Sequence, residues 1–164
     1  MHPNEALVHR FYTCFQALDP AGMQACYHPD IVFSDPAFGE LRGSDVGAMW
    51  TMLCTRAKDL EIVFSDVAAD AESGRAHWDA RYTFTQTGRH VHNAINASFG
   101  FRDGLIVRHD DRFSFWRWSR QALGPAGLLL GWTPLLRGKV RKTARAGLHA
   151  YLRKSSGGGS APGA

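Results

Sequence analysis

A chain of 164 residues, 45% apolar and 21% charged, has the composition of one globular domain with an appendage and can bury a sizeable core. Its net charge of +4 hides a lopsided distribution: residues 1–111 carry all 15 carboxylates and a net −6, while residues 112–164 carry ten Lys and Arg and no carboxylate. The apolar run around 128–130 falls far short of the ~20 residues of a spanning helix, the three cysteines lack metal spacing, and Met1-His2-Pro3-Asn4-Glu5 lacks the basic start and apolar core of an export signal, which together predict a cytoplasmic protein with reduced thiols.

Pro3 and Asn4 open a helix to about Leu18, with Leu7, Phe11, Cys14, Phe15 and Leu18 as its buried stripe. Asp19-Pro20 starts a short second helix through Tyr27, stopped by His28-Pro29-Asp30. A strand over 31–34 ends at Asp35-Pro36 and a loop rich in turn residues, and Ser44 is placed to cap a third helix over 45–57. The period then changes from 3.6 to 2. Strands are predicted over 60–69, 75–86, 90–102 and 105–118, joined by turn signals at 70–74, Thr87-Gly88 and Arg102-Asp103-Gly104. Helices followed by an antiparallel meander predict an α+β fold with helices packed on one face of a bent sheet.

The domain boundary is expected at 118. Residues 119–154 then form a basic amphipathic helical extension, and residues 155–164 a flexible, low-complexity tail. Val140, Ala144, Leu148, Tyr151 and Leu152 share one side of the last helix. That stripe could rest on an anionic membrane surface. The favoured expectation is that it docks on the acidic body of the same chain. Positive charge without a recognisable nucleic-acid module does not argue for nucleic acid as a partner.

The run His28-Pro29-Asp30-Ile31-Val32-Phe33-Ser34-Asp35-Pro36, Gly43-Ser44 before the third helix, Thr87-Gly88-Arg89, and Arg102-Asp103-Gly104-Leu105-Ile106-Val107-Arg108-His109 occur in one order and spacing over residues 4–118. In this the chain resembles the family of nuclear transport factor 2, ketosteroid isomerase and SnoaL-like polyketide cyclases. The resemblance implies a cone-shaped domain of three N-terminal helices on a bent, mostly antiparallel sheet. It also implies a pocket for a small apolar molecule, a homodimer, and chemistry without cofactor or metal. The fold hosts isomerases, cyclases, hydrolases and non-catalytic binders, so function rests on the site.

Asp35 falls where the ketosteroid isomerases carry their general base, an aspartate that shuttles the substrate proton; the alternative is an Asp-Pro turn bonded to nearby amides. The isomerases' oxyanion-hole tyrosine falls on Phe11, with Tyr12 pointing off the stripe, and their protonated aspartate falls on Ala97. Losing one such donor lowers a rate by about 100- to 1000-fold, which argues against steroid isomerisation. On the last strand, alternation puts His109, Asp111 and Phe113 on the inner face, similar to the His-x-Asp pattern of SnoaL-like sequences. Asp35, His109 and Asp111 are therefore the candidate catalytic residues. Phe11, Trp50, Trp78, Tyr82, Asn93 and Phe113 are the candidate substrate contacts. Asp79 and Arg81 have the parity of the outer face, and His90 and His92 lack a third metal ligand. The expected function is cofactor-independent proton transfer on an apolar carbonyl compound, the alternative a non-catalytic ligand-binding or dimerisation module.

Overall fold

In the computed structural model, which describes residues 1–157, α1 (Pro3–Gln16) starts where Pro3 removes one unsatisfied N–H and the His2 imidazole accepts from the Asn4 amide. Its buried face is Asn4, Val8, Phe11, Tyr12 and Phe15, turned from the expected stripe so that Tyr12 lies inside. The Asn4 side chain donates to the Asp70 carbonyl, tying the helix to the following sheet and fixing this rotation.

α2 (Pro20–Gln24) is capped by Asp19, whose carboxylate accepts from Gly22 N–H at 3.0 Å. It ends earlier than expected, because Tyr27 already belongs to β1 (Tyr27–Asp35). β1 runs parallel to β6 (Leu105–Arg112), with an irregularity between Tyr27 and Val32 that accommodates His28-Pro29-Asp30. The loop expected after Asp35 is a tight return into β2 (Gly39–Arg42), antiparallel to β1, with Gly39 at φ 72°. α3 (Ser44–Arg56) lacks the expected Ser44 cap: Gly43, at φ 56°, occupies the capping position and Ser44 is already helical.

β3 (Glu61–Ala69), β4 (Ser73–Phe84), β5 (Arg89–Arg102) and β6 form the meander, giving a mixed six-stranded sheet of order β2-β1-β6-β5-β4-β3. Asp103 and Gly104 both have positive φ, as a two-residue hairpin between right-twisted strands requires. Along β5, Val91, Asn93, Ile95, Ala97 and Phe99 are buried while their neighbours are exposed. The helices lie against this inner face in the α+β cone.

β6 stops at Arg112 rather than continuing to 118. The Ser114 hydroxyl accepts from Arg117 N–H and caps α4 (Phe115–Leu123), so the expected boundary at 118 falls inside a helix. The aromatic run Phe113 to Trp118 suits a strand by propensity, but Phe115, Trp118 and Ala122 bury together at helical spacing. α5 (Pro125–Leu130) packs backbone to backbone on α4: a side chain at Gly127 would collide with the Ser119 carbonyl.

α6 (Pro134–Gly157) is longer than expected and takes in the first residues of the predicted tail; the remainder of that tail, 158–164, lies outside the described residues. Its apolar stripe faces the protein. Leu148 is fully buried, while Ala144, Tyr151 and Leu152 pack on the main core and Val140 on the α4 cluster. Arg145 donates to the Phe38 and Glu40 carbonyls, at 2.7 and 2.9 Å, fastening α6 across the β1–β2 turn. The stripe is therefore not available to a membrane. Among the described residues no helix is long and apolar enough to span one.

Candidate active site

The inner face of the sheet, α3 and α6 surround a cavity of about 1380 Å³. Asp35, Asp111, Trp50, Trp78, Tyr82, Asn93 and Phe113 line it, together with α6 side chains such as Leu136, Val140 and Ala144. The lining is mainly apolar, with the charged side chains of Arg56, Lys58, Asp59 and Lys139 also on it; a mainly apolar wall carrying placed polar groups is the usual constitution of a small-molecule site. Two expected members do not line it: Phe11 and His109.

Asp35 ends β1, and its carboxylate accepts from Phe38 N–H at 2.5 Å, so it does close the Asp-Pro turn while also facing the cavity. Burial raises its pKa from 3.8 to about 7. The Phe38 amide opposes that rise and the Asp111 charge adds to it. A carboxyl group so poised takes up or releases a proton near neutrality.

Asp111 is 4% exposed and heads a chain of hydrogen bonds that passes behind the cavity wall. Its Oδ1 accepts from Trp78 Nε1–H at 3.2 Å and lies 2.9 Å from His109 Nε2. His109 Nδ1 lies 2.8 Å from the Tyr27 hydroxyl, which accepts from Trp50 Nε1–H at 2.9 Å. The indole N–H can only donate, so Trp50 occupies a lone pair of Tyr27 and the Tyr27 proton turns to Nδ1. The imidazole proton then sits on Nε2 and is donated to Asp111. This assignment gives every N–H and O–H of the chain an acceptor, whereas a proton on Nδ1 would leave the Tyr27 hydroxyl proton without one. Burial first, and the Asp111 charge second, hold the Tyr27 phenol well above its ordinary pKa, so it remains a donor.

His109 faces the inner side of the sheet, as alternation predicts, but it is wholly buried one layer behind the cavity wall. Its ring is enclosed by Phe99 at 4.6 Å, Phe33 at 5.2 Å and Phe11 at 5.4 Å between centroids. The expectation that it meets substrate is corrected accordingly: parity sets the side of a sheet, whereas the depth of packing from α1 and α3 decides access. Phe11 is corrected for the same reason. It lies edge-on to Tyr12, Trp50 and His109 and is fully buried. Tyr12 is also fully buried, and its hydroxyl has no partner among the described residues.

Ala97, where a carboxyl group was sought, is the cross-strand partner of Asp111. The acid missing from β5 thus stands at the same level on β6. Tyr82 accepts from Trp118 Nε1–H at 2.8 Å, which leaves the phenol proton for a ligand in the cavity. Burial raises the Tyr82 pKa, Trp118 opposes this and Asp35 adds to it. The Asn93 amide reaches the cavity and makes no side-chain hydrogen bond among the described residues.

Sequence reasoning missed Tyr27, Trp118 and the α6 wall. Tyr27 precedes the β1 irregularity, so alternation counted back from Phe33 carries no information about it. On the outer face, Asp79 binds His92 at 2.7 Å and His77 at 3.3 Å, away from the cavity. Asp110 accepts from Ser34 and Arg108 there. Among the described residues, no three His, Cys, Asp or Glu side chains gather as metal ligands.

No curated protein matches the sequence. Among solved structures, the chain is similar to a putative polyketide cyclase from Xanthomonas campestris pv. campestris, with TM-score 0.61 and 19% identity over 73% of this chain and 96% of that one. It is similar to an LEH-like epoxide hydrolase from M. tuberculosis, with TM-score 0.62 and 17% identity over 78% and 96%. A Catenulispora acidiphila protein of ketosteroid isomerase-like fold, in complex with trimethylamine, gives TM-score 0.64 and 13% identity over 78% and 97%. At these identities the likeness is one of fold. The sequence profile of the SnoaL-like domain matches residues 8–109, leaving α4, α5 and α6 beyond it. With that match covering more than half of its residues, the chain belongs to the SnoaL-like domain family.

Proposed function

We propose that the cavity takes an apolar, carbonyl-bearing small molecule and moves a proton on it without a cofactor, in a reaction of isomerase, cyclase or hydrolase type. The observation that carries this reading is Asp35: a carboxyl group at an apolar cavity wall with its pKa raised to about 7, facing a second carboxylate held in place by two N–H donors. A carboxyl group poised near neutrality can both accept and return a proton. Asp35 is the general base that removes a proton beside the carbonyl and returns it elsewhere. The Asp111 charge makes Asp35 the stronger base. His109 acts through Asp111 as a positioning residue. The Tyr82 phenol donates to the oxygen on which charge develops. The polyketide cyclase and epoxide hydrolase likenesses agree with acid–base chemistry in such a cavity.

The test is proton exchange. In deuterated buffer with a panel of cyclic ketones and enones, the protein should catalyse exchange of the hydrogen beside the carbonyl, read by proton NMR. Asp35→Asn should lower that rate by at least about 100-fold. Undiminished exchange in that variant removes Asp35 from the mechanism.

A second reading, a non-catalytic ligand-binding or dimerisation module, draws on the apolar residues at positions 11 and 97. Saturable binding of panel compounds with no exchange at any pH would favour it. We also take the protein to be a cytoplasmic homodimer joined through the outer sheet face, a reading supported by its free thiols and by the family resemblance. Light scattering on the purified protein tests the dimer, and a monomeric mass would end that part.

A further inference from the structure

The elbow between α5 and α6 carries Leu128, Leu129, Leu130, Trp132 and Leu135 at exposures of 48, 68, 49, 72 and 83%. Single exposed leucines are ordinary, but five large apolar side chains within eight residues of one turn form a patch that needs a partner. We propose that this elbow docks the protein on an anionic lipid bilayer surface.

Three observations point to lipid. The first is the backbone. The carbonyls of Leu128, Leu129 and Leu130, at the end of α5, accept from Trp116 Nε1–H at 3.2 Å, Trp132 Nε1–H at 2.9 Å and the Thr133 hydroxyl at 2.6 Å. Helix-end carbonyls facing water need no such donors; satisfied internally, they can enter an apolar medium. The same closure leaves these three carbonyls already engaged, whereas a protein partner ordinarily makes about one hydrogen bond per 100–200 Å².

The second is charge. No carboxylate occurs from residue 112 to the end of the chain, against ten Lys and Arg. Two of these cations flank the patch. Arg120 lies 4.8 Å over the Trp116 ring, and Trp116 itself holds Leu128; Arg137 lies 5.4 Å over the Phe115 ring beside Leu135 and Leu136. Apolar knob and flanking guanidinium groups match the acyl and phosphate layers of a bilayer surface. The third is rigidity, since the close approach of Gly127 to Ser119 fixes the elbow on α4. Ala126 and Leu136, on either side of the elbow, line the cavity, so docking would bring a cavity wall to the lipid.

The experiment is co-sedimentation of the full chain with phosphatidylcholine vesicles, either alone or containing about one third phosphatidylglycerol. The protein should pellet with the anionic vesicles and be released by salt. A Leu129→Ser/Trp132→Ser variant should lose partitioning by roughly tenfold or more. An Arg120→Gln/Arg137→Gln variant should lose the preference for anionic vesicles. Both change exposed side chains, and unaltered circular dichroism would verify their folding. Wild-type protein left in the supernatant with both vesicle types overturns the proposal, as does pelleting of the Ser variant equal to wild type. An oligomer dissolved by the Ser substitutions, with no vesicle binding, would also overturn it and make the patch a protein interface.

Discussion

His109 holds Asp111 from beneath: its Nε2–H is donated to Asp111 Oδ1 across 2.9 Å while Nδ1 accepts from Tyr27. The imidazole thus carries an N–H at the cavity wall without reaching the cavity. Its tautomer is set by two tryptophans and a phenol that leave it one consistent arrangement.

That arrangement can be read directly. In nitrogen NMR of the ring, His109 should appear with its proton on Nε2. Tyr27→Phe removes the donor to Nδ1 and the acceptor of Trp50, and should shift the His109 signals while lowering stability by roughly 1–3 kcal/mol in urea denaturation. A proton found on Nδ1 in the wild type would contradict the network.

Asp35 makes opposite demands on rate and stability. As a base it must be ionised, so kcat/KM should rise as pH passes through about 7 and level off above it. In the unfolded chain the same group titrates near 3.8, so between that pH and about 7 the folded state binds more protons. Stability should therefore fall as pH rises across that window. Asp35→Asn keeps an acceptor for Phe38 N–H and removes the buried charge, so it should stabilise the fold at pH 8 by roughly 2–4 kcal/mol in chemical denaturation while abolishing exchange. Asp111→Asn should move the Asp35 titration downward, since the Asp111 charge raises it.

Tyr82→Phe tests the oxyanion donor. Loss of the phenol should lower kcat by about 100- to 1000-fold with little change in KM, and leave the Trp118 N–H without its acceptor at a cost of about 1 kcal/mol. Trp118→Phe is the control. It removes the supporting N–H but keeps the phenol proton, so a fall in kcat as large as that of Tyr82→Phe would assign the effect to packing.

The α6 wall should be part of the folding unit. Leu148→Ala removes a fully buried side chain and should lower stability by about 2–4 kcal/mol. Arg145→Ala releases the tie to Phe38 and Glu40, and should loosen α6 as read by hydrogen exchange while leaving the sheet protected. Equal protection of α6 in both proteins would show that apolar packing alone holds it.

Phe11 marks how far local pattern reaches. Helical spacing correctly placed it inside, as alternation did for Ala97, Phe99, His109 and Asp111, because these periods are properties of the backbone within one element. Turn chemistry was equally local: Asp103-Gly104 and Gly88 supply the positive φ that their hairpins need. Asp35 at the end of β1 was legible for the same reason. The short range of such signals also explains the errors. The Gly43 cap, the β2 return and the start of α4 at Ser114 were each decided by a few residues whose propensities pointed two ways.

Composition, period and turn residues were enough to define a helix-then-meander α+β chain and the side of the sheet on which Asp111 lies, while Asp35 was singled out by the family resemblance. Depth belonged to the assembled molecule. Tyr27 meets His109 across 82 positions through an irregular parallel pairing, and α1 and α3 cover the imidazole but not Asp111. A residue that returns as a cavity wall more than a hundred positions later, as Val140 and Ala144 do opposite Asp35, leaves no local trace. Its contribution is a contact between distant elements, and such contacts form only when the core closes.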